Sequence, residues 1–401
     1  MPHSRRSFLG VIGAGGVAFA GLGCGTRRPV AIEPEAAPPA AQRGAEVIRI
    51  GANENPYGPG PSALAAIRDS LPQANRYAFR AMAETIAAIG THVGLPPAHI
   101  ALGCGSSEIL EAAVSAFTSP QAGLLTASPT FELPSDRARD AGAPVIEVRV
   151  DVHGRLDLAA MLDRVAASGL VYLCNPNNPT STAHAAGDVQ TFIERVHARS
   201  PRTVVLVDEA YHEYVDMPAY ATAIPLATAD PRVLVTRTFS KIHGMAGMRV
   251  GYAVAQPATL RRLEPWLAGL TMNVLAAAAA RASVADIAHI EAQRALNREA
   301  KAFTLASLAR AGCTAYASDA NFVMVDVGRD CRFFASACAS RLVRVARPFP
   351  PLDHHARITI GTLDEMRRAA VVFADVLSAP PDATARWPLL PDWLDGDVQE
   401  C

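Results

Sequence analysis

One lysine stands out by its company. In "TFSKIHGMAGMRVGY" (238–252), Lys241 follows Ser240 at the end of an apolar run, and Arg249 returns after a stretch of Gly, Met and Ala. A surface loop has no need of an amine, a hydroxyl and a guanidinium spaced so that the chain doubles back between them. Three more polar motifs sit at the ends of apolar runs: "NPNNPT" (175–180), "DEAY" (208–211) and "GCGSSE" (103–108), the last joining a run to a helix start. Singly, each has a plain structural reading. Asn and Pro favour turns, carboxylates cap helices, and a glycine turn often precedes an N-cap. Together they supply an amine, a carboxylate, an amide, a phenol and an anion cradle.

That set fits one chemical task, the holding of pyridoxal phosphate. The aldehyde of that cofactor needs an amine, and Lys241 supplies it for a Schiff base. The ring nitrogen must stay protonated if the ring is to accept electrons, so a carboxylate has to face it, and Asp208 at a strand end does so. Asn178 and Tyr211 are donors for the phenolic oxygen. The dianionic phosphate calls for a helix amino terminus, hydroxyls and a cation, which Gly105, Ser106, Ser107, Ser240 and Arg249 provide.

Positioning these groups requires strands that end together. From about Ile48 the chain alternates short apolar runs with helical stretches. The segments 99–105, 123–128, 144–150, 169–175, 203–209, 232–240 and 249–255 read as strands, several apolar on both faces. Helix-like stretches such as 106–117 and 189–199 lie between them. Apolar runs separated by helices predict an α/β fold whose large domain has a mostly parallel sheet covered on both sides. Ligands gather at the carboxyl ends of strands in such sheets. After about residue 285 a long helix (286–311), short strands and a last helix (362–378) read as a smaller α+β domain. The expected division is an arm and part of the small domain at 48–78, the large domain at 79–285, the small domain at 286–378 and a tail at 379–401.

The 401 residues include 50% hydrophobic and 19% charged residues, which suits a globular chain with a large core. A net charge of -1 leaves no basic field for nucleic acid. The seven cysteines form neither a CxxC nor a Cys/His cluster, so no metal site or disulfide framework is expected. At the amino terminus, "SRRSFLG" (4–10) and the apolar, Gly-rich run 11–23 resemble a twin-arginine export signal over 1–25. A Pro/Ala-rich linker follows (26–47). The expected location is periplasmic. Lipidation at Cys24 stays open, because Gly21 stands where such sites usually carry a branched residue.

The motifs together resemble the fold-type I pyridoxal-phosphate aminotransferases, above all the histidinol-phosphate aminotransferase-like branch. The resemblance runs from "GANENPYGP" (51–59) through "NRY" (75–77), "GCGSSE", "SPTF" (128–131), "NPNNPT", "VDEAY", "TFSKIHGMAGMRVGY" and "ANF" (320–322) to "RITIGT" (357–362). It implies that Lys241 is the Schiff-base lysine and proton shuttle, and Asp208 the ring-nitrogen partner. It also implies that Phe131 stacks on the ring and that Arg357 clamps the substrate α-carboxylate. Asn55 and Tyr57 fall on the substrate side, and Tyr77 reaches the phosphate in a neighbouring subunit, which implies a homodimer with shared sites. Phe131 replaces the usual tyrosine, Ala78 and Phe79 follow Tyr77 where a proline is usual, and an amino-terminal phosphate-gripping segment is absent. With the export signal, this points away from histidine biosynthesis. The implied activity is ping-pong transamination between an L-amino acid and a 2-oxo acid. β-Elimination and oxygen-dependent oxidation at the same site stay open as alternatives. A non-catalytic regulator is disfavoured by the intact Lys241 and Asp208.

Overall fold

Strands apolar on both faces have to be covered on both faces, and the strands Ser168–Cys174, Val204–Asp208, Val233–Thr238 and Val250–Val254 are buried along their whole length apart from Gly169. The computed structural model describes residues 47–379. The residues read as an export signal and linker, up to residue 46, and the tail from residue 380 lie outside the described residues. After β1 (Ile48–Ile50), seven strands form the main sheet: β2 (Ile100–Cys104), β3 (Gly123–Ser128), β4 (Val145–Arg149), β5 (Ser168–Cys174), β6 (Val204–Asp208), β7 (Val233–Thr238) and β8 (Val250–Val254). Their order is β2-β8-β7-β6-β5-β3-β4, with β8 antiparallel to both neighbours and the other pairs parallel.

Helices α1 (Pro61–Ser70), α2 (Phe79–Val93), α3 (Gly105–Phe117), α4 (Leu133–Asp140), α5 (Leu158–Arg164), α6 (Ala186–Arg199), α7 (Ile224–Ala229), α8 (Pro257–Leu263) and α9 (Val274–Ala285) surround this sheet. Leu124, Leu170, Leu206 and Leu234 pack on one face with Ile109, Leu110 and Ala113 of α3. Their strand neighbours Leu125, Val171, Val205 and Val235 pack on the other face, with Phe192 and Ile193 of α6 and the alanines of α9. Each such side chain contributes about 1.5–3 kcal/mol on full burial. The alanine run of α9 forms a helix because alanine is the best helix former, and Asn273 caps it through the Ala276 N–H. Both α1 and α2 pack on α9.

A second core gathers the remaining elements: α10 (Ile287–Arg310), β9 (Thr314–Ala315), β10 (Phe322–Asp326), α11 (Cys331–Ala339), β11 (Val343–Val345), β12 (His355–Thr359) and α12 (Leu363–Ser378). Strands β12-β10-β9 form an antiparallel sheet, and β1 pairs in parallel with β11. Ile48 and Ile50 join Val323, Val325, Phe334, Ile358 and Phe373 there. A reciprocal capping box between Thr362 and Glu365 starts α12. The segment after β1 then crosses to the lysine loop. Gly244, at φ +67°, lies so close to it that a β-carbon would come within 2.0 Å of the Gly58 carbonyl oxygen. Only glycine permits that approach.

Candidate active site

Where β7 ends, the Ser240 N–H donates to Thr238 Oγ1 at 3.1 Å and Thr238 Oγ1 donates to Ser240 Oγ at 3.0 Å. This local turn delivers Lys241 to a cavity lined also by Ser106, Phe131, Asn178, Asp208 and Tyr211. Lys241 is 7% exposed, with Nζ 5.6 Å from the centre of the Tyr211 ring. Of the chain's 37 basic residues only Lys241 and Lys301 are lysines. Lys301 is committed elsewhere, donating to the Ser318 and Ala320 carbonyls at 2.8 and 3.3 Å.

Strand alternation separates the two acids of "DEAY". Asp208 faces the cavity, where its carboxylate accepts from Tyr172 Oη at 2.9 Å and Thr236 Oγ1 at 3.1 Å. Burial in this dry setting pushes its pKa up to about 6, against the pull of those hydroxyls and the Ala210 N–H. Glu209 points away and pairs with buried Arg237 at 2.9 Å, while also accepting from the Ala223 N–H at 2.6 Å. That second carboxylate ties the ends of β6 and β7 to the start of α7.

The amino end of α3 has no side-chain cap. Its first residue, Gly105, has φ +75°, and a β-carbon there would come within 2.2 Å of Arg249 Nη2. Arg249, at φ +59°, donates to the Ala246 carbonyl at 3.0 Å and to Ser107 Oγ at 3.4 Å. The result is a concave cradle of helix N–H groups, serine hydroxyls and one guanidinium, the composition that suits a dianion. Gly105→Ala is therefore expected to weaken cofactor binding by about tenfold or more, through a strained φ and a displaced Arg249. Gly247→Ala, which meets nothing within 4 Å, is expected to bind normally. Fluorescence titration of the two apoproteins checks this, and equal affinities would remove the cradle from the site.

Arg357, 1% exposed, joins the two cores. Nη1 donates to Asn178 Oδ1 at 2.7 Å and Nη2 to the Gly51 carbonyl at 2.5 Å. The rings of Phe349 and Phe322 lie 4.7 and 5.5 Å from its guanidinium carbon. Asn55 Nδ2 donates to the Ile242 carbonyl at 2.9 Å, next to Lys241. Tyr57 and Tyr77 are 40% and 77% exposed and are not among the residues lining the cavity. Arg347 pairs with Glu132.

Four residues of this site went unremarked in the sequence. Asn53, fully buried at φ +54°, donates from Nδ2 to Tyr211 Oη at 3.0 Å and exchanges bonds with Thr359 at 2.9 and 3.0 Å. Tyr172 and Thr236 hold Asp208, and the Cys174 thiol, pushed up by burial, lines the cavity. Asn53 carried one signal, its place in "GANENPYGP". Tyr172 carried another, as a phenol inside an apolar run.

These residues fit pyridoxal phosphate. The cradle that a β-carbon would fill matches a phosphate, and a buried carboxylate with its pKa raised by desolvation is matched by a protonated ring nitrogen. A lysine, Lys241, stands in the same cavity. Residues 45–373 match the family Aminotransferase class I and II. The histidinol-phosphate aminotransferase of Symbiobacterium thermophilum is 36% identical over 340 residues, 83% of this chain and 90% of that protein. The aromatic amino acid aminotransferase of Thermobifida fusca is 35% identical over 320 residues, 79% of this chain and 87% of that protein. Among solved structures, the histidinol-phosphate aminotransferase of Sinorhizobium meliloti in complex with pyridoxal 5'-phosphate superposes with a TM-score of 0.77 at 29% identity, covering 84% of this chain and 93% of that one. The chain belongs to the class I and II aminotransferases, as a pyridoxal-phosphate-dependent, fold-type I enzyme of the histidinol-phosphate aminotransferase-like branch.

Proposed function

We propose that the amino donor is an α-amino acid whose carboxylate is taken by Arg357, with Lys241 as the proton carrier and Asp208 as the partner of the ring nitrogen. Bound pyridoxal phosphate supplies a ring that accepts the electron pair left at the donor Cα. The chain's own residues do the rest. Lys241, itself buried, moves the Cα proton. Tyr211, which accepts a hydrogen bond from Asn53 Nδ2, and Asn178, oriented by Arg357, serve the phenolic oxygen. Gly105, Ser106, Ser107, Ser240 and Arg249 hold the phosphate, and Phe131 covers the ring. The observation that carries the substrate reading is the buried Arg357 fork set on Asn178. The test is anaerobic: absorbance of the loaded protein on adding L-amino acids, the matching decarboxylated amines and histidinol phosphate, followed by 2-oxoglutarate. Bleaching by amino acids and recovery with the 2-oxo acid is the expected result. Acceptance of histidinol phosphate alone would overturn the carboxylate role, and recovery that needed oxygen or released ammonia would overturn transamination as the outcome.

We also propose a homodimer in which Tyr77 serves the phosphate site of the second copy. What supports it is an exposed apolar group, Leu71, Tyr77 and Phe79, at 55, 77 and 62% exposure. Sedimentation of the purified chain and the cofactor affinity of Tyr77→Phe test this; a monomer, or an unchanged affinity, would count against it. Export through the twin-arginine route, to the periplasm, is a further proposal resting on Arg5 and Arg6, outside the described residues. Cell fractionation of an Arg5→Lys, Arg6→Lys variant tests it, and an unchanged location would refute it. Anchoring through Cys24 is read in the same experiment, from retention in the membrane fraction.

A further inference from the structure

The strands on either side of β6 each send one hydroxyl to the same carboxylate. Register places Cys174 of β5 opposite Asp208, with Tyr172 two residues earlier on the same face, and it places Thr236 of β7 directly opposite Asp208. Tyr172 Oη donates to Oδ2 at 2.9 Å and Thr236 Oγ1 donates to Oδ1 at 3.1 Å. Tyr172, Thr236 and Asp208 are 1, 0 and 2% exposed. A lone carboxylate in so dry a place would turn about its Cβ–Cγ bond or take up a proton. One donor on each oxygen opposes both.

We propose that Tyr172 and Thr236 are positioning residues that fix the plane of the Asp208 carboxylate and keep it an acceptor toward the ring nitrogen of the cofactor. This rests on the reading of Asp208 as the ring-nitrogen partner. The other ionisable groups near Asp208 do not replace them. The Cys174 thiol stays neutral because burial raises it. Lys241 and Tyr211 share the cavity, and Glu209 turns away to Arg237. The Tyr172 phenol, raised by burial and by Asp208 itself, keeps its proton and so remains a donor.

The sign of the pH effect follows. Below about 6 the Asp208 of the apoprotein binds a proton and no longer offers a charge to a protonated ring nitrogen. Cofactor affinity therefore falls as pH drops through that region. Losing one hydroxyl destabilises the carboxylate and moves the fall to higher pH. A hydrogen bond to a charged group is worth about ten- to hundredfold in such an equilibrium, so the midpoint moves up by about one to two pH units.

The experiment is titration of full-length apoprotein with pyridoxal phosphate across the pH range, read as dissociation constant by fluorescence, for the wild type, Tyr172→Phe, Thr236→Val, Thr236→Ser and Asp208→Asn. The midpoint is expected to rise in Tyr172→Phe and Thr236→Val and to stay in place in Thr236→Ser, which keeps the hydroxyl. Unchanged midpoints in Tyr172→Phe and Thr236→Val would overturn the proposal. The Thr236 pair decides the matter if Tyr172→Phe does not fold. If Asp208→Asn binds as the wild type does at every pH, the ring-nitrogen reading of Asp208 has failed instead.

Discussion

Lys241→Ala is expected to lower transamination by at least about 10^3-fold while leaving the fold intact. The magnitude follows from losing both the covalent attachment and a general base, the latter alone being worth about 10^2- to 10^4-fold. The fold should survive because the lysine stem leaves a cavity that already opens on the site, and its turn is held by the bonds between Thr238 and Ser240. Lys241→Arg is expected to be as inactive as Lys241→Ala, since a guanidinium keeps the charge and cannot act as a nucleophile or base. The chain offers an unusually clean check, because it has one other lysine. Borohydride reduction of the loaded protein followed by peptide mass analysis should place the cofactor on Lys241 alone, with Lys301→Arg labelled as the wild type is. Small primary amines added to Lys241→Ala should restore part of the activity. Full turnover without Lys241, or a label on Lys301, would end the assignment.

How much of this was legible in advance depended on the kind of interaction. Strands β5, β6 and β7 read clearly because burial on both faces leaves uninterrupted apolar runs, and polar residues collect where those runs stop. The amine at 241, the carboxylate at 208 and the guanidinium at 249 could be assembled from residue type alone, since each is costly to bury without a purpose. Tyr172 and Thr236 could not. Their importance comes from strand register, which pairs Asp208 with Cys174 on one side and Thr236 on the other, and a single sequence does not state register. Asn53 depends on contacts with Tyr211 and Thr359 that are 158 and 306 residues away in sequence. Arg357 is legible through family resemblance only; by itself in the sequence it reads as a surface cation, yet it lies in the middle of β12 and is buried.

The largest expected effect on substrate selection belongs to that arginine. Arg357→Lys is expected to reduce kcat/KM for a carboxylate-bearing donor by about 10^2- to 10^3-fold, because a point charge replaces a planar fork that makes two parallel bonds. Most of the loss should appear in KM, since the carboxylate is bound before and during proton transfer alike. The same change also removes braces: Nη1 holds Asn178 and Nη2 holds Gly51, so a lower melting temperature should accompany it. These two consequences need separating. A donor amine that lacks the carboxylate makes no use of the clamp, so its kcat/KM should fall only by the part due to the brace. A carboxylate-bearing donor should fall by both parts. Equal losses for the two donors would make Arg357 a brace between the cores and nothing more. A large difference would assign the carboxylate to it, with Asn178 and Gly51 holding the guanidinium in place before substrate arrives.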